Sequence, residues 1–204
     1  LHLRPRRQRQ MCIRDSLYGQ RRFEEERHLF FKLDSWHITD LPFFRTAFPN
    51  TPLFFLYREP EKILSSHRRQ RGSQMVPKLL DPNALGLSSE PAGRSDLEGF
   101  AQKVLSSFFQ SAIRYAQSNG LLLLNYQELP QIAWGEFADY LSLSFDHEEV
   151  GAMKERMAQH SKQPFQSFLG DAPTDATPVG DDALAKLEVQ YAELETLRAA
   201  QTWT

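Results

Sequence analysis

The chain has 204 residues, with 24 basic and 26 acidic side chains and 41% hydrophobic residues, a composition typical of a globular protein with one core. Its single cysteine, Cys12, excludes an internal disulfide framework and a cysteine-based zinc cluster, and it favours a reducing, cytoplasmic location. No apolar run approaches the roughly 18 residues of a membrane span, so we predict a soluble chain without a membrane partner.

The first sixteen residues differ in charge from the rest of the chain. Residues 1–16 contain five arginines and one aspartate, whereas the remaining residues are acidic overall. One interpretation is a basic arm for nucleic acid or a membrane surface. The string RQRQMCIRDS instead resembles translated adapter sequence, and the chain begins with Leu1 rather than methionine. We therefore predict a non-native or disordered segment over 1–16, with no nucleic-acid partner.

Residues 17–169 alternate between short apolar runs and helical patterns. The runs HLFFKL (28–33), PLFFLY (52–57) and LLLLNY (121–126) predict buried strands. Apolar spacing and helix-starting residues predict five helices, over 41–47, 60–71, 95–118, 131–142 and 147–159. Residues 72–97, rich in Gly, Pro and Ser, predict a long loop with at most short helical turns. This alternation predicts an α/β domain whose parallel strands are joined by helical crossovers.

Residues 170–204 differ in pattern from the preceding domain. We predict a loop over 170–182 and a helix over 183–199 in which leucines and Tyr191 recur at three-and-four spacing. Such a stripe usually packs against its own domain, which is the favoured interpretation. The alternative is a short coiled coil that forms a homodimer.

The carboxyl ends of the predicted strands are where an α/β protein places its site. Arg58 directly follows the second run, and Ser66 comes eight residues later in the following helix. A guanidinium group and a hydroxyl can together hold a dianionic phosphate. We therefore predict a nucleotide-phosphate site there.

Three segments at these strand ends resemble the sulfotransferases that use 3′-phosphoadenosine 5′-phosphosulfate. FPNTPLFFLYREPEKILSSH is similar to the family's 3′-phosphate-binding segment, FFKLDSWHITDLP to its strand ending in a catalytic lysine, and LLLLNYQELP to its strand whose tyrosine contacts adenine. RMAQHSKQPF, at 156–165, resembles a weaker element that closes over the cofactor. The resemblance implies a three-layer parallel sheet of the P-loop nucleotide hydrolase type. It also implies transfer of a sulfuryl group to a hydroxyl or amine of a small-molecule or glycan acceptor.

The resemblance also assigns roles to residues. It implies that Lys32 stabilises charge on the bridging oxygen during transfer. The family's catalytic histidine lies two residues after this lysine, where the present chain has Asp34, and the nearest histidine is His37. Asp34 and His37 therefore both remain candidates for the base. The residues that would bind the nucleotide are Arg58, Ser66, Tyr126 and Lys162.

One element of the family is missing. Its first strand and the Lys-, Ser-, Gly- and Thr-rich loop that cradles the 5′-phosphosulfate have no counterpart in residues 1–31. We therefore expect a truncated chain that is inactive, although its parent protein is an enzyme. Two alternatives are a non-catalytic module that dimerises through the 183–199 helix, and a small-molecule kinase of related fold, which the lack of a Walker-type segment disfavours. No metal is expected, since the histidines lack the spacing of metal ligands.

Overall fold

The structure is a computed structural model that describes residues 24, 28–88, 97–118, 120–157, 159–160, 163–167 and 181–203. Its helices are α1 (Leu41–Ala47), α2 (Pro60–Arg69), α3 (Leu97–Ser118), α4 (Glu136–Tyr140), α5 (His147–Met157) and α6 (Asp181–Ala200). Its strands are β1 (Leu53–Tyr57), β2 (Leu121–Asn125), β3 (Gln159–His160) and β4 (Gln163–Ser167). Short 3-10 helices span Ser35–Asp40, Ser73–Met75, Pro82–Leu85, Tyr126–Glu128 and Gln131–Trp134.

Strands β1 and β2 pair in parallel, with Leu53 opposite Leu121 and Tyr57 opposite Asn125. Parallel neighbours need a crossover connection, and here the chain between them includes α2 and α3. The prediction of parallel strands joined by helices is therefore confirmed. Strands β3 and β4 form a separate antiparallel pair that the sequence pattern did not predict. Within the described ranges the parallel sheet has these two strands, and a three-layer sheet is not shown.

Helix α3 forms the centre of the core. Its apolar residues at three-and-four spacing, among them Val104, Phe108 and Ala112, are almost completely buried, as the periodicity predicts. Gly120 follows the helix with a φ of +63°, a left-handed conformation that glycine adopts without steric cost. The chain then enters β2 directly, so the end of α3 fixes where that strand begins.

Helix α6 packs against α3 through its apolar stripe. Leu187 and Leu194 have no exposed surface, and the Gln190 amide donates to the backbone carbonyl of Ser106 at 3.2 Å. Burial of each leucine stabilises the fold by about 2 kcal/mol. The expectation that this helix packs on its own domain is therefore confirmed, and its extent agrees closely with the predicted 183–199.

The prediction of a buried strand at 28–33 is wrong. These residues have no regular secondary structure, and Leu29, Phe30 and Phe31 each expose more than half of their surface. A strand needs a neighbour to bond its backbone groups, and within the described residues the parallel sheet consists of β1 and β2 alone. The apolar composition that predicts a strand does not supply such a neighbour.

Two smaller predictions also need correction. β1 is a strand, but Leu56 is half exposed, so the strand is not covered on both faces. The helix predicted at 131–142 is divided at Gly135 into a 3-10 turn and the short α4. The prediction of a loop with at most short helical turns over 72–97 is confirmed for residues 72–88, which contain two 3-10 turns. The basic segment 1–16 and residues 170–180 of the predicted loop lie outside the described residues.

Candidate functional site

The carboxyl edge of the β1–β2 pair brings together two of the predicted site residues. Because Tyr57 and Asn125 lie opposite each other at the strand ends, the next residues, Arg58 and Tyr126, are also neighbours. The guanidinium carbon of Arg58 lies 4.8 Å from the centre of the Tyr126 ring, within the range of a cation–π interaction. Two motifs 68 residues apart in the chain thus meet at one edge of the sheet.

A second pair of residues meets at the same edge. The side-chain amide of Gln127 donates to the carboxylate of Glu59, and the Arg58 Nε lies 3.7 Å from the other oxygen of that carboxylate. Glu59 immediately precedes α2, whose first residue, Pro60, needs no hydrogen-bond partner for its nitrogen. The edge therefore presents a guanidinium group, an aromatic face and a carboxylate within one turn of each strand end.

A capping box holds Tyr126 in place. The Asn125 side chain accepts from the Gln127 backbone N–H at 3.0 Å, and the Glu128 carboxylate accepts from the Asn125 backbone N–H at 2.8 Å. These bonds close the 3-10 turn that carries the tyrosine. The sequence analysis missed this role, although the N-x-x-E spacing in NYQE is a recognised signal for it.

Helix α6 supplies polar side chains that form hydrogen bonds with the last residues of β1 and β2. The Tyr57 hydroxyl donates to the Glu195 carboxylate, and the Asn125 amide donates to the same carboxylate at 2.8 Å and to the Tyr191 hydroxyl at 2.8 Å. Arg198 donates to Glu195 at 2.8 Å and also to Glu128. We refer to these side chains as the strand-end cluster; its members are Tyr57, Asn125, Glu128, Tyr191, Glu195 and Arg198.

Burial and hydrogen bonding fix the ionisation states in this cluster. Burial raises the pKa of Tyr57 well above its ordinary value, and the hydrogen bond to Glu195 raises it further. Burial alone would raise the pKa of Glu195, but the hydrogen bonds that it accepts, first from Arg198 and then from Tyr57 and Asn125, leave its pKa below the ordinary value. Glu195 is therefore an ionised acceptor and Tyr57 a neutral donor at neutral pH.

The predicted catalytic residues lie on the exposed segment before α1. Lys32 and Asp34 are exposed, and Asp34 precedes the 3-10 turn Ser35–Asp40 without capping it through its side chain. The backbone carbonyl of Asp34 accepts from Nδ1 of His37 at 3.0 Å. In the neutral imidazole this tautomer leaves Nε2 as the acceptor. Stacking on Trp36, with ring centres 5.5 Å apart, further orients the histidine.

The remaining predicted residues are placed as follows. Ser66 is half-buried in the second turn of α2, the helix that starts at the strand edge. Lys162 lies outside the described residues. The structure therefore brings Arg58 and Tyr126 into contact, with Ser66 on the adjoining helix.

Comparison of the chain with protein-family models, with curated proteins and with solved structures finds no match. Among the described residues, no group of three or more histidine, cysteine or acidic side chains has an arrangement that would hold a metal ion. No helix in the described part of the chain combines the length and the apolar character needed to cross a bilayer.

Proposed function

We propose that this chain is a sulfotransferase-type domain that binds the 3′-phosphoadenosine part of 3′-phosphoadenosine 5′-phosphosulfate at the β1–β2 edge. The observation that carries the proposal is the contact between Arg58 and Tyr126, each placed directly after one of two neighbouring parallel strands. Sites in parallel α/β sheets lie at this end of the strands. The complete domain would then be the three-layer, P-loop-like fold that the resemblance implies.

The chemistry of the edge suits a 3′-phosphorylated adenosine. The Arg58 guanidinium can form two parallel hydrogen bonds to a phosphate, and the Ser66 hydroxyl on α2 can add a third. The positive end of α2 adds a favourable field for an anion. The aromatic face of Tyr126 offers a stacking surface for adenine once the guanidinium turns toward the phosphate.

Sulfuryl transfer, which we expect of the parent enzyme and not of the present chain, would use the segment before α1. The acceptor oxygen or nitrogen forms a bond to sulfur while the bond between sulfur and the bridging phosphate oxygen breaks, which releases adenosine 3′,5′-bisphosphate. Lys32 would stabilise the charge that builds on the bridging oxygen. The acceptor's proton would pass to Asp34 or to Nε2 of His37, and the tautomer held by the Asp34 carbonyl suits the histidine to that role.

A binding experiment tests the proposal on the chain as it is. Adenosine 3′,5′-bisphosphate is titrated into the unaltered protein, into Arg58→Ala and into Arg114→Ala, and binding is followed by ligand-observed NMR. Arg114 is the matched control, because its guanidinium carbon also lies over a tyrosine ring, 5.9 Å from the centre of Tyr115. We expect Arg58→Ala to weaken binding about 10- to 100-fold, the loss of a charge-assisted bond, and Arg114→Ala to leave it unchanged.

A second ligand separates phosphate recognition from general affinity for adenosine. Adenosine 5′-monophosphate lacks the 3′-phosphate, so its weaker binding should not depend on Arg58. Absence of bisphosphate binding to the unaltered chain would overturn the proposal, as would equal affinity of the chain and Arg58→Ala for the bisphosphate.

A further inference from the structure

The outer edge of β1, the side that faces away from β2, is open. In a parallel pair, alternate residues of a strand direct their N–H and C=O groups to the neighbour, and the residues between direct theirs away. The backbone of Leu123 on β2 is bonded to the Gln201 side chain, so it points away from β1, and its partner Phe55 points toward β2. Phe54 and Leu56 therefore direct their N–H and C=O groups to the outer edge, where they have no partner among the described residues.

The two outer edges of the sheet differ in how they are protected. The edge of β2 is closed at Leu123, because the Gln201 side chain occupies both its N–H and its C=O. The edge of β1 has no such cover, and Leu53–Tyr57 contains neither a charged residue nor a proline. Natural proteins usually place such residues on an edge strand to prevent pairing. The edge of β1 is therefore suited to pairing with another strand.

Apolar side chains beside this edge are exposed. Successive side chains of a strand alternate between faces, and Leu53, Phe55 and Tyr57 pack on the core, so Phe54 and Leu56 lie on the opposite face. The ring centres of Phe54 and Phe137 are 4.8 Å apart, and Phe137 in turn lies 6.5 Å from Phe30 in the exposed run at 28–33. We refer to this joined surface as the β1 patch; its members are Leu29, Phe30, Phe31, Leu33, Phe54 and Leu56.

The area of the β1 patch is that of an interface. Five of its side chains, all except Phe54, are between 46% and 59% exposed. At about 200 Å² for a whole Leu or Phe side chain, this leaves about 500 Å² of apolar surface in water, which is large for a monomeric protein. Burial of the patch on two copies would remove about 1,000 Å², the area at which specific interfaces begin.

We propose that two copies of this chain pair through β1, antiparallel to each other, around a two-fold axis. The result is a continuous sheet in the order β2–β1–β1–β2. With Phe55 opposite the partner's Phe55, the outward N–H and C=O groups of Phe54 exchange hydrogen bonds with those of the partner's Leu56. In the same register the exposed side chain of Leu56 packs on the partner's Phe54. The strand is thus complementary to itself, which favours a second copy over an unrelated partner.

Charge favours the antiparallel arrangement, and closure limits its size. Arg58 directly follows β1, and in-register parallel pairing would place it beside the partner's Arg58. Antiparallel pairing places it opposite the partner's Pro52 and separates the two guanidinium groups by about 20 Å, more than the screening length of about 8 Å at physiological salt. Because Gln201 closes the edge of β2, no further strand adds there, and the assembly ends at the dimer.

Sedimentation velocity of the full chain, over concentrations from about 1 to 300 μM, tests the proposal. We expect a reversible equilibrium between monomer and dimer with a micromolar Kd, as suits an interface near the lower limit of size. Leu56→Lys places a charge inside the interface and should weaken the dimer at least tenfold. The matched control is Leu79→Lys, at a leucine that is 59% exposed outside the β1 patch, and it should leave the Kd unchanged. Val189→Lys, at a residue of α6 that is 68% exposed, should also leave it unchanged.

Hydrogen exchange locates the interface on the unaltered chain and does not depend on whether a variant folds. The amides of Phe54 and Leu56 should exchange at least severalfold more slowly at a concentration above the Kd than below it. The amides of Phe55 and Tyr57 point to β2 in both states, so they are the internal control and should not change.

Four results would overturn the proposal. These are a monomer over the whole range of concentration, a dimer in which the exchange of Phe54 and Leu56 is unchanged, a species larger than the dimer, and a dimer that Val189→Lys weakens more than Leu56→Lys does. The last result would place the interface on α6. Neither measurement contains a nucleotide, so failure of this proposal and failure of the nucleotide proposal are read separately.

Discussion

The hydrogen bond between Tyr57 and Glu195 joins residues 138 positions apart, and we predict that it couples the strand end to the last helix energetically. The perturbation is a double-mutant cycle of Tyr57→Phe and Glu195→Gln. Tyr57→Phe removes one hydroxyl and leaves the ring in its packed position. Glu195→Gln keeps the shape of the acceptor but removes its charge.

The structure sets the size of the effect. Tyr57 is 2% exposed, so its hydroxyl has no water to replace the carboxylate. A hydrogen bond to a charged acceptor contributes about 1.5–3 kcal/mol, and Tyr57→Phe should therefore lower the free energy of unfolding by about 2 kcal/mol. Glu195→Gln should lower it by about 2–3 kcal/mol, because the Arg198 ion pair is lost as well. The double variant should lose about 1–2 kcal/mol less than the sum of the two, since the bond that Glu195→Gln weakens is already absent in Tyr57→Phe.

Equilibrium unfolding in urea, followed by circular dichroism, measures all four proteins. A loss of 2 kcal/mol lowers the midpoint by roughly 1 M for a typical slope of about 2 kcal/mol per M. Tyr115→Phe, at another buried tyrosine of the core, is the control and should be additive with Glu195→Gln. The reasoning fails if Tyr57→Phe and Glu195→Gln are additive to within about 0.5 kcal/mol.

Two further predictions concern the contacts of α6. The pKa of Glu195 is lower in the folded state than the ordinary 4.5, so its ionised form adds stability above that pH, and this stability is lost as the pH falls below it. The gap in unfolding free energy between the unaltered chain and Glu195→Gln should therefore shrink between pH 5 and pH 3, and a constant gap across that range would contradict the assignment. Gln201 accepts from the N–H and donates to the C=O of Leu123, both at 2.9 Å, so Gln201→Ala should expose the edge of β2 and lower the hydrogen-exchange protection of the Leu123 amide at least severalfold. Gln117→Ala, which removes a surface bond to Glu193, should leave that protection unchanged.

Local signals in the sequence predict much of this fold. Three such signals are the proline at the start of α2, the periodicity of α3 and the apolar run of β2. Each can be recognised from neighbouring residues alone, and the structure has these three elements close to their predicted bounds. The run at 28–33 carries the same apolar signal, but a strand depends on a partner elsewhere in the chain. Composition does not report that partner, which is why this prediction failed.

The same distinction applies to the candidate site: local signals in the sequence predict part of it, and long-range contacts determine the rest. Placement directly after parallel strands is enough to predict that Arg58 and Tyr126 lie at one edge, but not that their strands are neighbours. The spacing of Tyr191, Glu195 and Arg198 along α6 indicates that they share a face, but it does not name the strand ends that this face meets. That information lies in contacts between residues more than 60 positions apart in the sequence, such as those from Asn125 to α6.

The strand-end cluster explains why the proposed nucleotide site depends on α6, although no residue of α6 would contact the nucleotide. Tyr57 and Asn125 share one acceptor, Glu195, so a single carboxylate holds the ends of both strands at a fixed separation. Arg58 and Tyr126 follow those two residues directly and take their relative position from them. Because Leu187 and Leu194 of α6 are fully buried in the core, the carboxylate is itself held rigidly. The apolar stripe of α6, by packing in the core, thus supports the edge of the sheet.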